Sequence, residues 1–167
     1  MTRNTHHRRR DHFSTDLDTN VVLDGAIGSI SSGATVHTAL SAIHGTAHGN
    51  TTINVIIDGG GSVITTGVKG DLELPFAGTI SAVRMFADQT GSIVIDLWKD
   101  TYANFPPTDA DSITAAAPPT ISASNKSQDT TLTGWTTSFA AGDILRFNVD
   151  SASTITKVTL SLTVART

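Results

Sequence analysis

The chain has 167 residues, 38% of them apolar and 16% charged, enough for one well-buried core and too few for two ordinary domains with linkers. It has no cysteine, which excludes disulfides, thiolate metal sites and a cysteine nucleophile. The net charge is −4, but four of the eleven Lys and Arg fall within the first ten positions, leaving seven basic against fifteen acidic side chains in residues 11–167.

That imbalance marks out a basic arm. Arg3, Arg8, Arg9 and Arg10 suit an acidic partner, whether nucleic acid, a membrane surface or an acidic protein face. The plainer alternative is a solvated tail. No apolar stretch follows Arg10 as a secretion signal requires, and no apolar run is long enough to span a bilayer. Residues 1–20 offer only Phe13 and Leu17 as sizeable apolar anchors, whereas Val21, Val22 and Leu23 form a short extended run in need of a partner surface.

Val36, Ala39, Leu40 and Ile43 recur at helical spacing and predict one short helix over 34–44, stopped by Gly45. His37, His44 and His48 are spaced by seven and four, which would align them on a helix and, around a symmetry axis, allow metal or anion binding. Gly45 ends the helix before His48, so a polar stripe is the better account.

From residue 51 onward the pattern is that of strands. Thr52–Ile57 leads into a glycine turn at Asp58–Gly61, followed by a strand at Ser62–Thr65 and a second turn at Gly67–Gly70. Asp71–Phe76 alternates, placing Leu72, Leu74 and Phe76 on one face. Gly78–Ala87 and Gly91–Lys99 predict a hairpin about Asp88–Gly91, with Ile80, Ala82, Arg84 and Phe86 on one face and Val83 and Met85 on the other. Tyr102–Pro119, with four prolines, is the longest irregular stretch and the natural binding loop. Strands follow at Thr120–Ala123, Asp129–Thr133, Ile144–Val149 and Thr156–Val164, the last with Val158, Leu160, Leu162 and Val164 in period two. The expected fold is all-β: an antiparallel β-sandwich, jelly-roll-like, over 51–167, carried by an N-terminal attachment arm over 1–50.

Catalytic chemistry finds little support. All six histidines lie at or before His48, and no Gly-x-Ser-x-Gly elbow is present. Asp96 with Asp100, or Asp109 with Asp111, would be the carboxylate pairs for glycoside hydrolysis. The competing account pairs Asp96 with Lys99 or Arg84 and gives Asp109 and Asp111 to turn caps. Calcium at Asp109 and Asp111 lacks enough oxygen ligands. Gly59–Gly61 reads as a tight turn, since the lysine and helix of a phosphate loop are missing. Trp98, Tyr102 and Trp135 are either a sugar-stacking platform or core or interface anchors.

The run from Asp58 to Phe76, Gly91–Lys99 with Tyr102–Thr108, and Leu132–Trp135 followed by Ala141–Val149 resemble a β-sandwich domain of tailed-bacteriophage virion proteins over roughly 110 residues. The resemblance implies a non-enzymatic protein without cofactor or metal, trimeric or otherwise oligomeric with a homotrimer preferred, located on the virion surface after assembly in the bacterial cytoplasm. Its expected partners are other virion proteins of capsid or tail, with neither nucleic acid binding nor membrane insertion. Because only about fifty residues precede the domain, a decoration or short head-fibre protein is favoured, with the arm as anchor. The alternative is a tail-located protein that recognises a host-surface glycan through Tyr102, Phe105, Asp109, Asp111 and Trp135.

Overall fold

The computed structural model describes residues 49–167. The arm residues Arg3, Arg8, Arg9, Arg10, Phe13, Val21, Val22 and Leu23, the 34–44 helix and His37, His44 and His48 lie outside the described residues. Seven strands follow in order: β1 (Asn50–Asp58), β2 (Gly67–Glu73), β3 (Gly78–Thr101), β4 (Thr120–Asp129), β5 (Ser138–Phe139), β6 (Asp143–Ser153) and β7 (Lys157–Arg166).

All pairings are antiparallel, and two strands serve twice. Residues 78–87 of β3 pair with β7, and residues 92–101 of the same strand pair with β6. The two parts of β4 lie along the opposite edge of β3, with Asp129 to Lys126 opposite Val83 to Phe86, and Ser124 to Thr120 opposite Gly91 to Val94. β1 then adds to β7, and β2 to β6. The result is two four-stranded layers: β1, β7, early β3 and late β4 in one, β2, β6, late β3 and early β4 in the other, with the two-residue β5 added at the start of β3. Counting the halves of β3 and β4 separately, this is jelly-roll connectivity, an all-β antiparallel sandwich made by folding one broad sheet across its strands.

The fold line explains the main departure from the sequence reading. Gly78–Ala87 and Gly91–Lys99 do not form a hairpin; they are one continuous 24-residue strand that passes from one layer to the other. The Asp-Gln-Thr-Gly sequence supplies turn chemistry, but it bends the strand instead of reversing it. Positive φ also occurs within β4 at Ala123 (46°) and in the connections after β1 at Gly60 (65°) and Gly61 (85°) and after β6 at Thr154 (73°). Asp88 braces the crease by accepting bonds from the Thr156 hydroxyl, Thr156 N (3.2 Å) and Lys157 N (3.1 Å). The Thr156 hydroxyl, above all, holds the Asp88 carboxyl below its ordinary value.

The core is one cluster filled from both layers. Val158, Leu160, Leu162 and Val164 of β7 are all at 0% exposure, as the period-two pattern predicted, and they face Ile93, Ile95, Leu97, Leu145 and Phe147. Leu74 is buried, with Leu72 and Phe76 packed against the same cluster. Within early β3 the face assignment changes, because the register shifts between Ile80 and Ala82. This bulge turns Val83 and Met85 inward with Ile80 and leaves Arg84 and Phe86 exposed. Three shorter expectations also differ. Ser62–Thr65 is irregular, although Ile64 is buried and its N–H bonds to Ile155 O. Gly67–Gly70 is not a turn but the bulged start of β2. In Asp129–Thr133 only Asp129 is strand, as the end of β4, and the rest turns away because the Asp129 carboxylate accepts from Thr131 N, Thr131 Oγ1 and Leu132 N.

Candidate functional site

The Tyr102–Pro119 segment does not hang free; it folds back beside late β3. Ile113 N bonds to Leu97 O, Ile95 N bonds to Pro119 O, and Ser112 forms a bridge with Trp98. The loop therefore completes the open edge of late β3, and its buried Ile113 joins the core. Two short 3-10 turns, Tyr102–Asn104 and Asp109–Asp111, shape its outer part.

Asp96 fastens this loop. Its Oδ1 accepts from Leu97 N (2.7 Å), Ser112 Oγ (2.9 Å) and the Thr114 hydroxyl, and its Oδ2 accepts from Trp98 Nε1 (2.7 Å). A buried carboxylate is tolerable only with such a set of donors. The expected ion pair of Asp96 with Lys99 or Arg84 is not formed. Lys99 reaches Asp143 instead (2.9 Å), and Arg84 donates to Gln128 (3.0 Å), because residue 96 points toward the loop on the outer side of its sheet. Asp143 also accepts from Ala140 N (2.9 Å) and so ties the turn before β6.

Beside Asp96 lies a second constellation. Arg146, the register partner of Trp98 on β6, makes a two-pronged contact with Asp71 on β2 (2.6 and 2.9 Å). Its third nitrogen donates to Pro107 O at 3.1 Å, and its guanidinium lies 5.3 Å from the centre of the Phe105 ring. The Asp71 contact holds the guanidinium even more firmly in its charged form. Asp71, Arg146, Ser112 and Thr114 were not singled out from sequence. The one available signal was the alternation Leu145-Arg146-Phe147, which sends Arg146 to the outer face.

The five loop residues nominated for ligand binding divide into separate places. Tyr102 is 79% exposed and Phe105 50% exposed, the latter over Arg146. Asp111 closes a capping box on Thr108, accepting from its N–H and hydroxyl at 2.8 Å each, and these bonds lower its pKa. The Asp109 carbonyl accepts from Ser112 N. Asp100 accepts from Thr101 N and Asn104 Nδ2. Trp135 sits elsewhere, in a cleft of about 70 Å³ with Val83, Pro118, Pro119 and Gln128, its indole donating to Ala117 O at 2.9 Å. The Phe105 and Trp135 positions lie on opposite sides of β3, against β6 and β4 respectively. Trp98, Tyr102 and Trp135 form no stacked platform: among the described residues ring packs on ring only at Phe76–Phe139, with centroids 6.0 Å apart.

The arrangement is well suited to bracing. The carboxylates of Asp71, Asp96, Asp100, Asp111 and Asp143 accept from donors of their own chain, and the Trp135 cleft is well below the roughly 300 Å³ at which small-molecule pockets begin. Among the described residues no three His, Asp or Glu side chains converge as a metal site, and no helix is long and apolar enough to cross a membrane. No family model, no curated protein and no solved structure matches the chain.

Proposed function

We propose that the domain is a non-enzymatic structural module of a bacteriophage virion, a decoration or short head-fibre protein anchored to the capsid by its N-terminal residues. The observation that carries the architectural part is the use of aspartate. Asp88, Asp96, Asp111, Asp129 and Asp143 each bind two or more donors of their own chain and hold a crease, a loop or a turn. A rigid sandwich with braced loops suits a particle exposed to solvent. The virion assignment rests on the sequence resemblance, and the anchoring role on the cluster Arg3, Arg8, Arg9 and Arg10.

The test is binding of the full chain and of a variant lacking residues 1–20 to purified capsids. The truncated domain is expected to keep its strand circular dichroism and lose binding. Unchanged decoration by the truncated protein removes the anchor from the proposal. A second reading, a tail protein that binds a host-surface glycan, draws on exposed Tyr102 and on Phe105 stacked over Arg146. Saccharide-specific binding by the full chain on a glycan array, lost in Tyr102→Ala, would favour it.

A further inference from the structure

The two layers end in strand edges, and most of these edges carry devices that discourage further pairing. β2 has a register shift between Val68 and Gly70 and carries Lys69, Asp71 and Glu73. β4 runs opposite two register shifts, has a positive φ at Ala123 and carries Lys126 and Asp129. β1 has no such protection. Its nine residues pair with β7 without interruption, contain neither Pro nor Gly, and hold one charge, Asp58, at the last position. Long, regular, uncharged edges are what soluble domains ordinarily avoid.

The groups offered at that edge follow from the ladder. Gly59 N bonds to Thr156 O, in register with the β1–β7 pairs, so odd-numbered β1 residues direct their N–H and C=O toward β7. Thr52, Asn54 and Ile56 direct theirs outward, where nothing among the described residues pairs with them. Beside this edge Ile56 is 66% exposed, and Ile53 and Val55 on the inner face are only partly buried.

We propose that β1 pairs with β1 of a second copy of this chain, antiparallel about a two-fold axis at Asn54, joining the first layers of two protomers into one continuous sheet. This register is self-complementary. All nine residues find partners, Ile53 meets Val55 of the other copy on the inner face, and Ile56 lies against Thr52. The lone charge, Asp58, falls opposite Asn50, far from its own symmetry mate, and is already neutralised by Lys157 at 2.9 Å. No like charges meet at the joint, which is the condition that lets an edge pair with itself. The inference is independent of the virion reading, and it predicts a two-fold assembly in place of the homotrimer preferred on the resemblance.

The full chain at tens of micromolar is measured by light scattering and by amide hydrogen exchange, beside Asn54→Lys and Ile56→Lys. The expected result is twice the 17.4 kDa chain mass, or a higher even multiple. Amides of Thr52, Asn54 and Ile56 should be protected and should exchange at least about tenfold faster in either variant. Each variant should fall to half the wild-type assembly, with strand circular dichroism retained as evidence of folding. A monomeric or trimeric wild type overturns the proposal. So does an assembly that persists in both folded variants, and so does edge protection in a monomer, which would give the edge to another segment of the same chain.

Discussion

Replacing Asp96 by alanine removes one acceptor that serves four donors, and the cost follows from where those donors are left. Thr114 is at 0% exposure, so its hydroxyl loses a charged partner with no water to replace it, about 1–3 kcal/mol. Ser112 and the Trp98 indole are part-buried and recover some solvation, leaving about 0.5–1.5 kcal/mol each. Together these come to about 2–6 kcal/mol, or roughly 8–24 °C in Tm for a domain of this size. Thermal and urea unfolding followed by circular dichroism and tryptophan emission would measure it, with proteolysis in 102–119 reporting detachment of the loop. Asp96→Asn keeps the shape and one acceptor oxygen but turns an NH2 toward Trp98, and should cost about 1–2 kcal/mol. A loss below about 1 kcal/mol for Asp96→Ala would refute the reasoning, because it would mean that desolvating the carboxylate offsets its four bonds.

Gly91 lies at the bend of β3, and a Cβ there would come within 2.5 Å of Ser153 O and 2.8 Å of Ile155 Cγ1. Gly91→Ala should therefore destabilise the domain by about 2–3 kcal/mol in urea unfolding; an unchanged midpoint would show that the crease yields freely. Acid should destabilise the fold in a defined window. Asp58, Asp88, Asp111 and Asp129 all have folded pKa values below the ordinary 3.8, held there chiefly by Lys157, Thr156, Thr108 and Thr131 respectively. The unfolded chain then takes up protons first, so this stabilisation is complete above pH 3.8 and is lost as the pH falls through the lower folded values. A Tm flat between pH 7 and 5 that drops below about pH 4 is expected; a Tm that rises there contradicts the assigned bonds.

The layers of the fold were legible because alternation records burial directly. β7 shows this best: four inward residues at period two specify a strand with one face in the core. The bend of β3 was not legible, because Asp88 and Gly91 satisfy local turn preferences equally well in a reversal and in a crease. Only the register of 78–101 against the distant β6 and β7 decides between them. The bulge after Ile80 escaped for a related reason: one extra residue inverts the alternation without changing composition. The Asp96 cluster joins residues sixteen and eighteen positions apart through a folded loop, and the Arg146–Asp71 pair spans seventy-five. Such partners carry no local periodicity, so Asp96 looked like a residue in search of a cation.

The place of β7 in the pairing order also bears on how the domain is made. β7 follows all the other described strands, yet it lies between β1 and early β3. During synthesis, β1 and the apolar first half of β3 wait without their common neighbour until β7 itself has emerged. The first layer is therefore closed by its final strand, a long-range step that favours slow, all-at-once folding and exposes β1 to other nascent chains in the interval.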